Sequence, residues 1–266
     1  MPELEYAKQE FEKYLQQFNC ENDKIKLKKV HTFGVVKCAS EIAKRMRLSE
    51  EDRQLAEVIA LLHDIGRFEQ VRVYDSFEPT TMDHAAFGVE LLFGEKQMIR
   101  QFVKEDKWDD IIRTAIARHS GYSVGEIKDP RTRLHACIIR DADKLDNCRV
   151  KLVDSLQVIL NCDAETVGGQ SISEKVWESC LRHEAVVSSE RETKMDYWVS
   201  YIAYFYDINF SETFSIIREK NYVHRLIARI PYSNPDTAKK MQQLEKMVTD
   251  YMDLWIEKKK FGMNCG

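Results

Sequence analysis

Five histidine and aspartate positions stand out along the chain: His31, the doublet His63-Asp64, His84, His119 and the acidic cluster Asp141-Ala142-Asp143-Lys144-Leu145-Asp146. Imidazole nitrogens and carboxylate oxygens together suit divalent manganese, iron, zinc, nickel or cobalt. A carboxylate beside a histidine can also serve two ions at once, offsetting their repulsion at the separation of about 3.5–4 Å common in two-metal sites. The spacings are too long for one helix face and match neither zinc-finger nor HExxH patterns, so five segments must converge in space. Periodicity leaves the acidic end open: Ile138 and Ile139 are both apolar, and each would turn one of Asp141 and Asp143 inward. His135, His183 and His224 fall outside the series and read as core or surface residues.

The elements that must position these groups read as helices. Only ten Gly and five Pro punctuate the chain, and the stretches between them carry apolar residues at three- and four-residue spacing. One helix is expected from Asn22 to Met46, and another opens at Ser49, whose side chain can cap the N–H of Asp52. This second helix turns Leu55, Val58, Ile59 and Leu62 inward, and Gly66 marks its end, placing His63 and Asp64 in the last turn. Asp83 is the expected cap for a helix from Ala85 to Leu92. His119 ends a helix from Trp108 to Arg118, with Gly121 as its C-cap. Asp129-Pro130 starts the helix that carries Asp141, Asp143 and Asp146. Further on, Gly168-Gly169 reads as a loop, Ser171 to Glu174 as a capping box, and Pro231 to Pro235 as the break before a last helix from Asp236 to Lys258. The aromatic run Tyr197, Trp198, Tyr201, Tyr204, Phe205 and Tyr206 reads as packing.

With 266 residues, 44% of them hydrophobic, the chain suffices for one large domain or a domain with an extension. The run Val58 to Leu62 is far shorter than the roughly 20 apolar residues of a membrane span, and the first residues lack a signal core. A cytoplasmic protein with no membrane partner is expected. Seven cysteines without a CxxC pair read as reduced core thiols. A net charge of −4 gives no general attraction to nucleic-acid polymers, and Lys24-Ile25-Lys26-Leu27-Lys28-Lys29 reads as a solvated helix face.

The order H, HD, H, H, D resembles the HD-domain superfamily of metal-dependent phosphohydrolases, from about Lys29 to Asn147. The resemblance implies an all-α, HD-domain-like helical bundle at 25–150; outside it the helical patterning reads as an N-terminal helix at 1–24 and a helical C-terminal extension at 151–266 packed on the bundle. It implies that His31, His63, Asp64 and Asp143 hold one metal, and that His84 and His119 hold a second, with Asp64 bridging. Asp143-Lys144-Leu145-Asp146 matches the family's ending, which favours Asp143 and leaves Asp141 and Asp146 behind the ligands or on the helix surface. Arg67 and Lys144 then stand beside ligands as cations for a phosphate oxygen. The GYP signature of the cyclic-dinucleotide branch is absent, the chain reading Arg118-His119-Ser120-Gly121-Tyr122. The expected activity is hydrolysis of a phosphoester of a small molecule or nucleotide. Asp64, Arg67 and Lys144 are the expected catalytic residues, with two divalent ions, manganese, iron, nickel, cobalt or magnesium, as cofactors. A diiron oxygenase on the same ligand order and a non-catalytic nucleotide-binding or signalling module are the alternatives.

Overall fold

The helix starts at Asn22, Ser49, Asp83 and Asp129 are each closed by that residue's side chain in the computed structural model, which describes residues 2–78 and 80–260, with side chains to 257. Among the described residues the regular elements are helices. They run α1 (Leu4–Leu15), α2 (Asp23–Arg45), α3 (Glu50–Leu62), α4 (Ile65–Tyr74), α5 (His84–Phe93), α6 (Ile99–Phe102), α7 (Asp109–Arg118) and α8 (Pro130–Val153). The Asn22 side chain accepts from the N–H of Lys24 and Ile25, and Ser49 Oγ accepts from Asp52. Asp83 accepts from Ala85 and Ala86, and Asp129 from Thr132. These bonds satisfy N–H groups that a helix start otherwise leaves unpaired.

Helices α2 and α3 lie side by side, and α3 buries Leu55, Val58, Ile59 and Leu62 completely. Removing four such side chains from water contributes about 1.5–3 kcal/mol each, which makes α3 a fixed platform for the doublet at its end. Helix α1 braces the same region. Phe11 and Phe18 pack on Phe68 of α4 with ring centroids 5.8 and 5.7 Å apart, and the Tyr14 hydroxyl donates to the Ile65 carbonyl at 3.2 Å.

The chain forms two compact units, residues 1–146 and 147–266. The second contains α9 (Leu156–Leu160), α10 (Ala164–Gly169), α11 (Glu174–Leu181), α12 (Lys194–Ala203), α13 (Ser211–Glu219), α14 (Tyr222–Ala228) and α15 (Pro235–Lys260). Of the aromatic run, Trp198, Phe205 and Tyr206 are buried in it and serve packing, while Tyr197, Tyr201 and Tyr204 are half-buried.

Two local expectations fail in this unit. Gly168-Gly169 closes α10 instead of forming a loop, and a Cβ on Gly168 would lie 2.0 Å from the Pro231 carbonyl oxygen. Close backbone approach, not turn geometry, is what requires glycine there. Ser173 precedes α11 without a side-chain cap, because its N–H and hydroxyl both donate to Asp196, while the capping box forms at Thr193 and Asp196. The thiols are also not all in the core: Cys137, Cys148 and Cys180 are buried, Cys38 and Cys162 half-buried and Cys20 exposed, and Cys265 lies outside the described residues. No described helix is long and apolar enough to cross a membrane.

Candidate metal centre

The doublet sits between two helices. His63 is the C-cap of α3 and Asp64 the N-cap of α4, with backbone angles of φ −104° and ψ 19°. Gly66 therefore does not stop a helix, as its sequence context suggested, but lies inside α4. A Cβ there would stand 2.2 Å from the His84 carbonyl oxygen and 2.9 Å from the Gly88 nitrogen. The missing side chain lets α4 lie directly on the start of α5, and this brings His84 to Asp64.

Around Asp64 the structure gathers His31, His63, His84, His119 and Asp143. Its Oδ1 lies 3.3 Å from His84 Nε2 and 3.5 Å from His119 Nε2. Its Oδ2 lies 3.6 Å from His63 Nε2 and 4.0 Å from His31 Nε2. Asp143 Oδ1 completes the second group at 3.0 Å from His31 Nε2 and 3.9 Å from His63 Nε2. Two ligand triads result, His31-His63-Asp64 and Asp64-His84-His119, each with its candidate donor atoms within 4.8 Å of one another. All five of these residues are buried, while the side chain of Asp143 is 23% exposed.

The donor chemistry fits cations. His63 Nδ1 and His119 Nδ1 each lie 2.7 Å from the carbonyl three residues back, Ala60 and Ile116, and His31 Nδ1 lies 2.8 Å from Asp146 Oδ2. Those acceptors hold the proton on Nδ1 and turn an Nε2 lone pair inward, as in metal-ligating imidazoles. Among the described residues Nε2 of His63 is buried with no hydrogen-bond partner, His31 Nε2 faces Asp143 Oδ1 at 3.0 Å, and Nε2 of His84 faces Nε2 of His119 at 3.1 Å. Buried lone pairs directed at one another and at a shared carboxylate are costly without a positive charge between them.

Burial lowers His63 and His84 to about 4, so both rings are neutral near pH 7. Burial also opposes ionisation of Asp64, yet its surroundings, the Lys28 ammonium foremost, outweigh it and hold the carboxyl well below its ordinary range. His31 is raised: burial and Lys28 push it down, and hydrogen bonding to Asp143 and Asp146 prevails. The proton His31 gains is one that a metal would displace.

Cations surround the cluster, and one of them was hidden in the sequence. Lys28 belongs to the run read as a solvated face, yet its side chain is only 14% exposed and its Nζ lies 2.6 Å from Asp64 Oδ2. Alternating lysines and apolar residues on a helix give no local sign that one of them turns toward a site. The expected cation Arg67 has Nε 3.7 Å from Asp64 Oδ1, and its Nη1 donates to Gln70 Oε1 and to the Phe77 carbonyl. Lys144 follows Asp143 on α8, with Nζ 3.4 Å from the Arg140 carbonyl.

Arg140 is buried, and its guanidinium donates to the carbonyls of Arg118, His119, Gly121 and Tyr122. Gly121 is thus not a left-handed cap of α7; the carbonyls at that helix end are satisfied by an arginine from α8. Asp146 sits behind His31, Asp141 is buried on α8, and His135 pairs with Asp52 at 3.1 Å. In the second unit His183 stacks on Tyr206 and His224 pairs with Glu245.

The frame is all-α, and the buried histidine and aspartate cluster around one shared carboxylate could hold metal ions. The family model of the HD domain matches residues 30–148, so this segment is similar to HD domains. HD domains bind divalent metals and are typically metal-dependent phosphohydrolases. No curated protein and no solved structure matches the chain significantly.

Proposed function

We propose that the protein hydrolyses a phosphoester of a small molecule or nucleotide at a two-metal centre. The reading rests on two buried triads that share Asp64, His31-His63-Asp64 and Asp64-His84-His119. One ion would be held by His31, His63, Asp64 and Asp143, the other by His84, His119 and Asp64. Divalent ions in such a site supply Lewis acidity and an acidified water at neutral pH.

The protein's own groups prepare the reaction. Neutral His63 and His84 and ionised Asp64 present ligand atoms without first losing a proton. Asp146, Ala60 and Ile116 fix the rings of His31, His63 and His119. Arg67 offers a cation for charge that develops on a phosphoryl oxygen. The same ligand order would serve a diiron oxygenase, but Lys28 and Arg67 beside Asp64 suit an anionic substrate better.

A panel of phosphomonoesters and phosphodiesters, assayed with manganese or anaerobically with ferrous iron, tests the proposal. Chelator-sensitive release of phosphate or nucleotide that survives without dioxygen is expected. Turnover only with dioxygen and without phosphoester cleavage would give the site to oxygenase chemistry.

A further inference from the structure

The two oxygens of Asp64 each carry a cation as well as a histidine pair. Lys28 Nζ lies 2.6 Å from Oδ2, on the side of His31 and His63, and Arg67 Nε lies 3.7 Å from Oδ1, on the side of His84 and His119. Arg67 Nε is buried and has no hydrogen-bond partner among the described residues. The two cations also meet at one residue: Lys28 Nζ stands 5.4 Å from the centroid of the Phe77 ring, and Arg67 Nη1 donates to the Phe77 carbonyl at 3.0 Å. Phe77 is half-buried, so this arrangement lies at the edge of the buried cluster.

Charge bookkeeping gives these cations a task. The carboxylates of Asp64 and Asp143 cannot neutralise two divalent ions, and an Asp64 shared between ions no longer balances Lys28 and Arg67. Both would then stand unpaired in a poorly solvated site, which is costly until another anion arrives. A phosphomonoester brings a doubly charged phosphoryl group, whereas a phosphodiester brings a single charge.

We propose that Lys28 and Arg67 form a clamp for the substrate phosphoryl group, and that Lys28 makes the site select phosphomonoesters over phosphodiesters. The proposal deepens the phosphohydrolase reading and rests on it for the reaction, but anion binding by the clamp can be measured without turnover. Lys28 is the informative member, since nothing in the ligand pattern points to it.

The test compares the manganese-loaded protein with Lys28→Met and Lys28→Arg. Metal content is measured first, then affinity for inorganic phosphate by calorimetry, then KM and kcat for p-nitrophenyl phosphate and bis(p-nitrophenyl) phosphate. Lys28→Met should keep its manganese, bind phosphate about tenfold or more weakly, and raise KM for the monoester far more than for the diester. Lys28→Arg should restore most of the loss.

Unchanged phosphate affinity in Lys28→Met overturns the clamp. So does loss of manganese with equal damage to both esters, which would make Lys28 only a support for Asp64. If Lys28→Met does not fold, the decision passes to Lys28→Arg, where a lost preference between the esters at full charge counts against the clamp and a kept one supports it. If the wild type cleaves neither ester, the phosphohydrolase reading fails, and the phosphate titration alone decides the clamp.

Discussion

His31 Nδ1 and Asp146 Oδ2 meet at 2.8 Å, and the contact exists because residue 34, one turn along α2 from His31, is glycine. A Cβ on Gly34 would lie 2.0 Å from Asp146 Oδ1. Glycine thus makes room for the carboxylate that orients the first histidine of the centre. Gly34→Ala and Asp146→Asn should each lower metal affinity about 10–100-fold, the usual cost of removing a partner behind a ligand. Metal titration of both variants, with far-UV dichroism to show an intact helical fold, checks this.

Gly66→Ala should act at the other triad. The added methyl must push α4 from the His84 carbonyl, an overpacking that costs about 1–3 kcal/mol. The movement draws Asp64 away from His84. Denaturant unfolding should report the lost stability, and elemental analysis should fall from two ions per chain toward one.

Asp64→Asn removes the carboxylate common to both triads while leaving the buried face of α3 intact. Turnover should be lost, and metal should no longer raise the melting temperature of the variant. For the wild type, metal at 100 times its Kd should stabilise by about 2.7 kcal/mol. In chelator the two proteins should melt within a few degrees of each other. A variant that retains near wild-type turnover would remove Asp64 from the centre.

Acid should weaken the metal-free protein before its carboxylates titrate. His63 and His84 are lowered by burial from an ordinary 6.5 to about 4, so the unfolded chain takes up protons first as pH falls. Their contribution is fully present above pH 6.5 and is lost as pH drops toward 4, with about 3 kcal/mol as the upper bound for each. His31, which is raised, opposes this with a contribution present below pH 6.5 and lost above it. Two lowered rings against one raised ring predict a net loss on acidification. Urea unfolding in chelator at pH 7.5, 6 and 5 should show falling stability, and the fall should be smaller in His63→Gln.

The sequence was most legible where the physics is local. Asn22, Ser49, Asp83 and Asp129 cap helices through atoms two or three residues away, so a short window contains the whole interaction. The buried face of α3 follows from periodicity alone. Gly66 and Gly168 misled because each is glycine for the sake of backbone distant in the sequence, the carbonyls of His84 and Pro231, which no local rule reveals. Lys28 was lost in a run of similar lysines, since only the crossing of α2 and α3 distinguishes it from Lys26. Asp143 and Asp146 lie on one helix, three residues apart, and only the placement of α2 assigns one to His31 Nε2 and the other to His31 Nδ1.

The guanidinium of Arg140 holds the segment that carries His119, and Arg140 itself sits one turn before Asp143 on α8. A histidine of one triad and an acid beside the other are thereby mounted on a single rigid part. On the proposed two-metal reading, the distance between the two ion positions would be a property of the folded chain, not of the ions that enter it. Such a centre would act as a gauge of fixed width, accepting a pair of cations by the span they can bridge and resisting any pair that would need the jaws to move.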